Sequence, residues 1–381
     1  MQKISIYNPC KTVFGSNSID QMAEDYIASG KKRIYILSVP VVIEMIQNQL
    51  AKLKNAGIEI AINERIAAEP TFSDFNNIIA EARAFKPDSV AGIGGGSVMD
   101  VAKLVAEFIT LDKPLTDYVG IGLLPERKTH LVCAPTTSGT GSEVSPNSIL
   151  MDDVNGGKKG IISPYLIPDA SYIDPDLTTG LPPALTAYTG IDALTHCIEA
   201  YANKYAHPLI DTYAITGISL IAKNLKRAFD NGNDREARAN LSMGSLLGGI
   251  CLGPVNTGAV HALAYPLGND YKIAHGLSNA VLLPYVMEFN LPEAEARYAE
   301  IALAMGTPDK GNSKDTALAG LELVKKLITD CNVPLKLREI GIKEQSIESM
   351  AESALLVQRL LKNNVREVTL QDAISIYTKA F

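Results

Sequence analysis

The sequence predicts two domains of different class, an α/β domain over residues 1–180 and an all-α domain over residues 181–381. In the first half, short β-like runs alternate with amphipathic helical patterns, and this alternation is typical of a parallel sheet covered by helices on both faces. In the second half, long helical periodicities follow one another with almost no isolated β-like run. The pattern changes at Leu181-Pro182-Pro183, and a length of 381 residues is sufficient for two large domains.

The elements of the first domain follow from its apolar runs. The predicted strands are Arg33–Ser38, Ile58–Asn63, Ser89–Gly92, His130–Ala134 and Ser171–Asp174. The predicted helices between them are 41–55, 73–85 and 97–110. In the second domain the periodicity predicts helices at 182–203, 209–228, 236–250, 256–265, 276–289, 293–304, 313–330 and 344–362. Because the two halves differ so clearly, a cleft between them is the expected site.

Composition and charge exclude several classes of protein. Lys and Arg number 35 against 42 Asp and Glu, and this acidic balance argues against binding to nucleic acid or to an anionic membrane. No apolar stretch approaches the ~18 residues that a membrane span requires, and the N-terminus lacks the apolar core of a signal peptide. The five cysteines are scattered without a CxxC pair, which favours a reduced, cytoplasmic protein over a disulfide or Cys-zinc framework.

A glycine-rich turn follows the predicted strand at residues 89–92. The chain reads Gly92-Ile93-Gly94-Gly95-Gly96 and is expected to enter a helix at Ser97, whose hydroxyl can cap it. Glycines leave no Cβ to block an approaching phosphate, and free N–H groups at a helix start suit a diphosphate. The motif departs from GxGxxG because Ser97 stands at its third position, and a tight turn without a ligand explains the same residues.

A second polar loop follows the strand predicted at residues 130–134. Five hydroxyl side chains and two glycines lie within residues 135–143, Pro-Thr-Thr-Ser-Gly-Thr-Gly-Ser-Glu. A Ser/Thr-rich surface loop would have the same composition. Two such loops at strand ends of one α/β domain nevertheless favour a dinucleotide-binding crevice of the Rossmann-like kind.

Histidines and one aspartate in the second half form a candidate metal site. Asp192 and His196 are four residues apart in a helical pattern, so both side chains lie on one face. His261 lies in a helix that Pro266 is expected to end. After a loop expected at residues 268–270, His275 is expected at the start of the next helix. Three imidazoles and one carboxylate suit Fe(II) or Zn(II) better than Ca²⁺ or Mg²⁺.

The same residues have a simpler interpretation. A helical histidine flanked by apolar residues is often a hydrogen-bonded core residue, and Asp192 with His196 also fits a structural i,i+4 pair. The remaining two histidines, His130 at a predicted strand start and His207 before a proline, look structural.

Taken together, the motifs resemble those of the iron-containing (group III) alcohol dehydrogenase family. The resemblance extends over nearly the whole chain and keeps the same order. It rests on GIGGGSVMDVAK (92–103), PTTSGTGSEVS (135–145), Lys159, DPDLTTGLPP (174–183), TGIDALTHCIEAY (189–201), HALAYPLG (261–268) and HGLSNAVLLPYV (275–286). It implies the dehydroquinate synthase-like/iron-alcohol-dehydrogenase fold, with a nucleotide-binding domain before a helical metal-binding domain.

The resemblance also implies roles for individual residues. The metal ligands would be Asp192, His196, His261 and His275. The diphosphate would lie on Gly95, Gly96 and Ser97, and the rest of the dinucleotide site would be lined by Thr136, Thr137, Thr140, Lys159 and Leu177. Asn147 would approach the substrate, and we expect the pocket to be bordered by Leu252, Pro254 and Asn256.

Two positions depart from the family pattern. Many members have a histidine four residues after the third ligand, where this chain has Tyr265. A phenol titrates near ~10 and is a poor proton shuttle at neutral pH, so we expect Tyr265 to be a hydrogen-bonding pocket wall near His261. Many members also have an acid after the first nucleotide-binding strand, where this chain has Val39. We therefore expect weak discrimination between NAD and NADP, with NAD favoured on family grounds.

These features predict a metal-dependent alcohol dehydrogenase or aldehyde reductase. Hydride would pass between NAD(P) and a small alcohol or aldehyde, with Fe²⁺, or Zn²⁺ in its place, to polarise the substrate oxygen. One alternative is an NAD- and metal-dependent lyase of the dehydroquinate synthase type, although basic clusters for a phosphorylated substrate are not evident. The other alternative is a noncatalytic metal- or nucleotide-binding protein. A full set of metal ligands together with two phosphate loops argues against it. The family further suggests a homo-oligomer, a dimer or larger, with no nucleic-acid or membrane partner.

Overall fold

The computed structural model describes residues 3–381 and divides them into two compact units. One unit is Ile6–Thr179, and the other is Gly180–Phe381 together with residues 3–5. The first contains a parallel sheet and the second is helical, so the predicted fold class is confirmed. The boundary predicted after residue 180 lies one residue beyond this division.

A six-stranded parallel sheet forms the centre of the α/β unit. Its strands are β1 (Lys11–Phe14), β2 (Arg33–Leu37), β3 (Glu59–Asn63), β4 (Ser89–Gly94), β6 (His130–Pro135) and β9 (Ala170–Ile173). They lie in the order β1-β9-β6-β4-β2-β3. A second, three-stranded sheet contains β5 (Gly120–Ile121), β7 (Asn147–Met151) and β8 (Lys158–Ile162). The five predicted strands are all present.

Three of the four strands that the sequence did not predict, β1, β5 and β8, are short or polar, whereas the fourth, β7, has five residues that alternate in burial. In β1, Lys11 and Thr12 are exposed and the strand has only four residues, so no apolar run marks it. The second sheet contains a two-residue strand, β5, and a strand that begins with two lysines, β8. Such strands carry little of the apolar alternation from which strands are predicted.

The helices of the α/β unit cover the six-stranded sheet. They are α1 (Ser18–Ala28), α2 (Pro40–Met45), α3 (Gln47–Asn55), α4 (Phe72–Phe85) and α5 (Gly96–Phe108). The helix predicted at 41–55 is two helices, because Ile46 leaves the helical backbone conformation at φ −104° and ψ 18°. All six residues of β4 are buried, as expected for a central strand with a hydrophobic core on each face.

The strand register brings the carboxyl ends of three strands to one edge of the sheet. Gly94 of β4 pairs with Pro135 of β6, and Leu37 of β2 pairs with Gly92 of β4. The glycine-rich turn and the threonine-rich loop leave their strands at these points. Val39 leaves β2 at the same edge, so the sheet places all three candidate cofactor segments side by side.

The second unit is built from nine α-helices among the described residues. They are α6 (Pro183–Tyr201), α7 (Pro208–Asp230), α8 (Arg235–Leu252), α9 (Ala259–Tyr271), α10 (His275–Met305), α11 (Ser313–Asp330), α12 (Ile347–Leu355), α13 (Gln358–Leu361) and α14 (Leu370–Ala380). The helix predicted at 344–362 is thus divided into α12 and α13. Within residues 3–381, no helix combines the length and the apolar character needed to cross a membrane.

The prediction that Pro266 ends a helix was wrong. Pro266 lies inside α9, and residues 268–270, predicted as a loop, belong to the same helix. A proline removes one backbone hydrogen bond, but all residues from Ala259 to Gly268 are buried, and their packing outweighs that loss. The helices predicted at 276–289 and 293–304 are the two segments of α10, which is kinked where Ala294 adopts a non-helical conformation after Pro292.

Candidate metal centre and nucleotide site

The candidate metal site begins on α6, where Asp192 and His196 are one turn apart. The helix is buried continuously from Gly190 to Tyr201. Asp192 Oδ1 lies 3.9 Å from His196 Nε2, so the predicted i,i+4 pair shares one face of the helix. Both side chains are nearly inaccessible to solvent, at 2% and 5% exposure.

The other two predicted ligands reach the same aspartate from helix starts. His261 is the third residue of α9 and His275 is the first residue of α10. Their Nε2 atoms lie 3.5 Å and 3.6 Å from Asp192 Oδ1. The ligand atoms of Asp192, His261 and His275 all lie within 4.8 Å of one another. The His196 and His261 rings stack with centroids 4.8 Å apart, so the structure brings all four predicted ligands together.

Glu199, two turns after Asp192 on α6, is a member of this cluster that the sequence analysis missed. Its Oε2 accepts a hydrogen bond of 2.5 Å from His261 Nδ1, and its Oε1 accepts one of 2.6 Å from the Val260 backbone N–H. The side chain is 6% exposed. A carboxylate seven residues after a candidate ligand lies on the same helix face, and that spacing could have revealed it.

Asn279, one turn after His275 on α10, is the second residue that was missed. Its amide Nδ2 donates a hydrogen bond of 2.6 Å to Asp192 Oδ1 and lies 3.1 Å from His261 Nε2 and 3.2 Å from His275 Nε2. Its fully buried Oδ1 has no hydrogen-bond partner among residues 3–381. An unsatisfied oxygen beside converging nitrogen and oxygen donors fits a site that accepts a further electropositive group.

The charges of the cluster favour a cation. Burial alone would raise the pKa of Asp192, but the neighbouring imidazoles outweigh burial and hold this pKa well below 3.8. Burial also acts to lower the pKa of His261, yet Glu199 and Asp192 raise it from 6.5 to about 9. Two buried carboxylates therefore require positive charge between them. Imidazole and carboxylate donors around such a point fit Fe(II) or Zn(II).

The two polar loops of the α/β unit contact each other at the start of α5. A Cβ on Gly96 would lie 2.5 Å from Thr140 Cγ2 and 2.7 Å from Thr140 Oγ1, and one on Gly95 would lie 3.6 Å from Thr137 Cγ2. A side chain at position 96 would thus displace the threonine loop. The loops form one polar surface at a helix N-terminus, a location suited to phosphate groups.

The predicted capping role of Ser97 was wrong. The helix α5 begins at Gly96 with Gly95 as its N-cap residue, and it has no side-chain cap. The Ser97 hydroxyl instead donates a hydrogen bond of 2.5 Å to the Ala68 carbonyl. Glycine tolerates the cap position, so the first N–H groups of α5 are left without a side-chain cap.

The buried Lys103 and the half-buried Asp100 of α5 hold the threonine loop and the start of β7. Lys103 Nζ donates hydrogen bonds of 2.9 Å each to the carbonyls of Ser145 and Asn147. The Asp100 carboxylate accepts hydrogen bonds from the Ser142 hydroxyl at 2.5 Å and the Ile149 N–H at 2.9 Å. Both residues lie in the glycine-turn motif, but neither was predicted to have a role.

Comparison with known proteins identifies the chain. A family model described as "Iron-containing alcohol dehydrogenase" matches residues 9–175, and one described as "Fe-containing alcohol dehydrogenase family, C-terminal" matches residues 186–381. The chain belongs to the iron-containing alcohol dehydrogenase family. The resemblance inferred from the motifs is therefore confirmed.

Two relatives in this family and one solved structure match along almost their whole length. The long-chain-alcohol dehydrogenase 1 of Geobacillus thermodenitrificans is 36% identical over 96% of this chain and 94% of its own length. The 1,3-propanediol dehydrogenase of Klebsiella pneumoniae is 35% identical over 98% of this chain and 97% of its own. A crystal structure of a 1,3-propanediol oxidoreductase superposes with a TM-score of 0.96 at 34% identity, covering 100% of both chains.

Membership of the family decides between the functions considered above. The chain is an oxidoreductase of the alcohol dehydrogenase and aldehyde reductase type, as predicted, and nothing favours the dehydroquinate synthase alternative. The noncatalytic alternative is likewise not supported.

At the two positions where this family member departs from the pattern, the side chains have defined surroundings. Tyr265 is buried one turn after His261, and its hydroxyl accepts a hydrogen bond from the Arg359 guanidinium. The Arg359 Cζ also lies 5.5 Å from the centre of the tyrosine ring. Val39 is the N-cap residue of α2, half-buried and packed against the cores on both faces of the sheet.

The remaining predicted cofactor residues lie in the α/β unit. The Thr136 N–H donates a hydrogen bond of 3.0 Å to the Gly94 carbonyl. Lys159 is a half-buried residue of β8. Leu177 is buried in a 3₁₀ helix, Pro175–Thr178, and packs in the core beneath the sheet.

The predicted substrate residues are distributed over both units. Asn147 is the first residue of β7, and its buried Oδ1 has no hydrogen-bond partner within residues 3–381. In the helical unit, Leu252 is the buried last residue of α8, with Pro254 and Asn256 in the segment that leads to α9.

The two histidines predicted to be structural make local contacts. His130 Nδ1 lies 2.8 Å from the Ser89 hydroxyl of the neighbouring strand. His207 Nδ1 accepts a hydrogen bond of 3.2 Å from the Leu209 N–H and caps α7.

Proposed function

We propose that this enzyme interconverts a small alcohol and its aldehyde, using NAD(H) and a divalent iron ion held by Asp192, His196, His261 and His275. The observation that carries the metal assignment is the convergence of two Nε2 atoms on Asp192 Oδ1 at 3.5 and 3.6 Å, with the His196 ring stacked beside them. A bound divalent ion would polarise the substrate oxygen as a Lewis acid. Zn(II) suits the same donors and is the alternative occupant.

In this proposal the protein's main task at the metal is to hold the ligands rigidly. Asp192 lies midway along a buried helix, and its carboxylate accepts a hydrogen bond from Asn279. Glu199 holds His261 through Nδ1. Ligands fixed in this way lose little conformational freedom on binding an ion.

For the dinucleotide, we propose that its diphosphate lies at the start of α5. Gly95 and Gly96 leave the helix N–H groups accessible, while Thr137 and Thr140 pack directly against these glycines. Thr136, Lys159 and Leu177 would line the remainder, with Ser97 beside the diphosphate. The bound nicotinamide supplies the hydride chemistry, and the chain supplies its orientation.

Cofactor preference in this proposal depends on Val39. An acid at this position would accept a hydrogen bond from the ribose 2′-OH and repel a 2′-phosphate, and valine does neither. Weak discrimination follows, with NAD(H) as the physiological partner on the grounds of family membership.

Tyr265 stands where the family often has a histidine, and we propose that it does not carry the proton. Its hydroxyl is already engaged by the Arg359 guanidinium, which donates to it. Water or the cofactor ribose would then transfer the proton, while Tyr265 contributes to the wall of the pocket.

The substrate class is best tested with short aldehydes and diols. Among relatives, one at 31% identity is named lactaldehyde reductase and another at 30% is named sulfoacetaldehyde reductase. We propose a small polar aldehyde of this size range, approached by Asn147 and bordered by Leu252. The assay follows NADH and NADPH absorbance anaerobically with Fe(II), across aldehydes, diols and one long-chain alcohol.

Turnover of short substrates by the wild type and its loss in His275→Ala would support the proposal. Turnover confined to the long-chain alcohol would contradict the substrate class. Undiminished turnover in His275→Ala would contradict the metal assignment.

We further propose a cytoplasmic homo-oligomer. The location is supported by Cys10, Cys133, Cys197, Cys251 and Cys331, all of which are free thiols. Light scattering on the purified enzyme tests the assembly, since a monomer at micromolar concentration would contradict it.

A further inference from the structure

The structure couples a second buried carboxylate to the predicted metal ligand His261. Glu199 accepts hydrogen bonds from His261 Nδ1 at 2.5 Å and from the Val260 N–H at 2.6 Å, so each carboxylate oxygen has its own donor. The two donors are adjacent residues at the start of α9. Glu199 therefore fixes both the helix start and the ring that projects from it.

The contact decides which imidazole nitrogen is available to a metal. A carboxylate can only accept, so in the neutral imidazole, the form that binds a metal, the proton of His261 resides on Nδ1 and the lone pair of Nε2 is left free. Nε2 is the atom that faces Asp192 Oδ1, at 3.5 Å. We propose that Glu199 is a positioning residue that selects this tautomer and ring orientation of His261 and thereby sets the metal affinity. This inference rests on the metal assignment of the proposed function.

The residues around Glu199 leave space for its carboxylate and exclude water from it. A Cβ on Gly258 would lie 3.3 Å from Glu199 Oε1 and 3.3 Å from Asn364 Oδ1, so a glycine at this point leaves room for the carboxylate. The side chain is 6% exposed, and burial strengthens its hydrogen bonds because water does not compete. With Asp192, it brings two negative charges to the cluster, which a divalent cation balances.

The test measures binding of Zn(II) and Co(II) to the purified full-length protein by competition with a chromophoric chelator. In Glu199→Gln, one of the two donors loses its acceptor, because a side-chain amide has a single acceptor oxygen. We expect metal affinity to fall by about 10- to 100-fold, as for other partners of metal-bound histidines. The visible spectrum of the Co(II) protein should change as well.

Asp211→Asn is the matched control. Asp211 lies in the same unit and accepts a hydrogen bond of 2.8 Å from Arg297, away from the cluster. This variant should keep wild-type metal affinity and the wild-type Co(II) spectrum. Loss of affinity in both variants would show a general effect of removing a carboxylate and would overturn the inference.

His261→Ala separates this inference from the metal assignment itself. If wild type binds no metal, or His261→Ala binds it as wild type does, the metal centre is wrong. If His261→Ala loses the metal while Glu199→Gln keeps it, only the positioning role fails.

If Glu199→Gln does not fold, ¹⁵N NMR of the Zn(II)-loaded wild type tests the tautomer of His261 directly. The His261 signals are assigned by their absence from the spectrum of His261→Ala. The inference requires the proton on Nδ1 and the metal on Nε2. The opposite arrangement would overturn it.

Discussion

Gly276→Ala should weaken metal binding without touching any ligand. Gly276 is the second residue of α10 and directly follows His275. A Cβ at this position would lie 2.3 Å from the Tyr188 carbonyl oxygen and 2.7 Å from its carbon. Non-bonded carbon atoms normally approach to about 3.5–4.0 Å, so the start of α10 must move away from α6 by roughly 1 Å. Because the obstacle is backbone, it cannot rotate aside.

The size of the effect follows from this displacement. Overpacking costs about 1–3 kcal/mol, partly offset by the helix preference of alanine over glycine, about 1 kcal/mol. In a unit of this size each 1 kcal/mol lowers Tm by about 2–4 °C. Tyr188 precedes Asp192 by one turn of α6, so the shift also moves His275 away from Asp192. In the wild type, His275 Nε2 lies 3.6 Å from Asp192 Oδ1. We expect metal affinity to fall on the order of tenfold or more.

Gly320→Ala provides the control for this prediction. A Cβ on residue 320 of α11 would lie 2.4 Å from Ala302 Cβ. The substitution therefore crowds α11 against the C-terminal end of α10, far along the helix from His275. Calorimetry should show destabilisation of both variants, whereas chelator competition should show weaker binding in Gly276→Ala alone. Wild-type affinity in Gly276→Ala would refute the reasoning that the contact between α6 and α10 places His275.

Four further predictions follow from the site and the core. His275→Ala should lose metal, as measured by mass spectrometry of the metal content, and turnover should disappear with it while circular dichroism stays unchanged. Tyr265→Phe removes the hydrogen bond with Arg359 and should cost about 0.5–1.5 kcal/mol of stability but little kcat; a kcat loss of several orders of magnitude would show that the phenol acts in catalysis. Val39→Asp should shift the kcat/KM ratio toward NAD by about tenfold or more, through a hydrogen bond of ~1.5–3 kcal/mol, and no shift would show that this residue does not face the ribose. Burial raises the pKa of Glu107 from 4.5 to about 7; because the folded state holds this proton more tightly, denaturant-measured stability should fall as pH rises from about 4.5 to 7, and the fall should be smaller in Glu107→Gln.

Local sequence signals were sufficient where one segment alone determines the structure. The alternation of short β-runs and helices predicted the parallel sheet, because each strand of such a sheet is an apolar run of its own. The spacing of Asp192 and His196 predicted a shared helix face in the same way. His275 was placed correctly at a helix start.

The errors arose where contacts between distant segments override local preference. Pro266 was expected to end a helix, but α9 is buried on all sides around it and continues to Tyr271. The role of Glu199 depends on His261, which lies 62 residues further along the chain. Nothing in the local sequence of either residue shows this partner, although helix spacing places Glu199 on the face of Asp192.

Glycines beside the candidate site residues indicate close contacts between segments of the chain. Gly96, next to Ser97, leaves room for Thr140, and Gly276, next to His275, leaves room for the Tyr188 carbonyl. In both units, therefore, a missing side chain permits the close approach that brings a helix start against a second segment. The sequence shows the glycine but not the segment it meets, and a glycine with an ordinary helical conformation has no local reason to be there. A helical glycine adjacent to a candidate ligand thus predicts a tight interhelical or helix–loop contact, which alanine substitution tests directly.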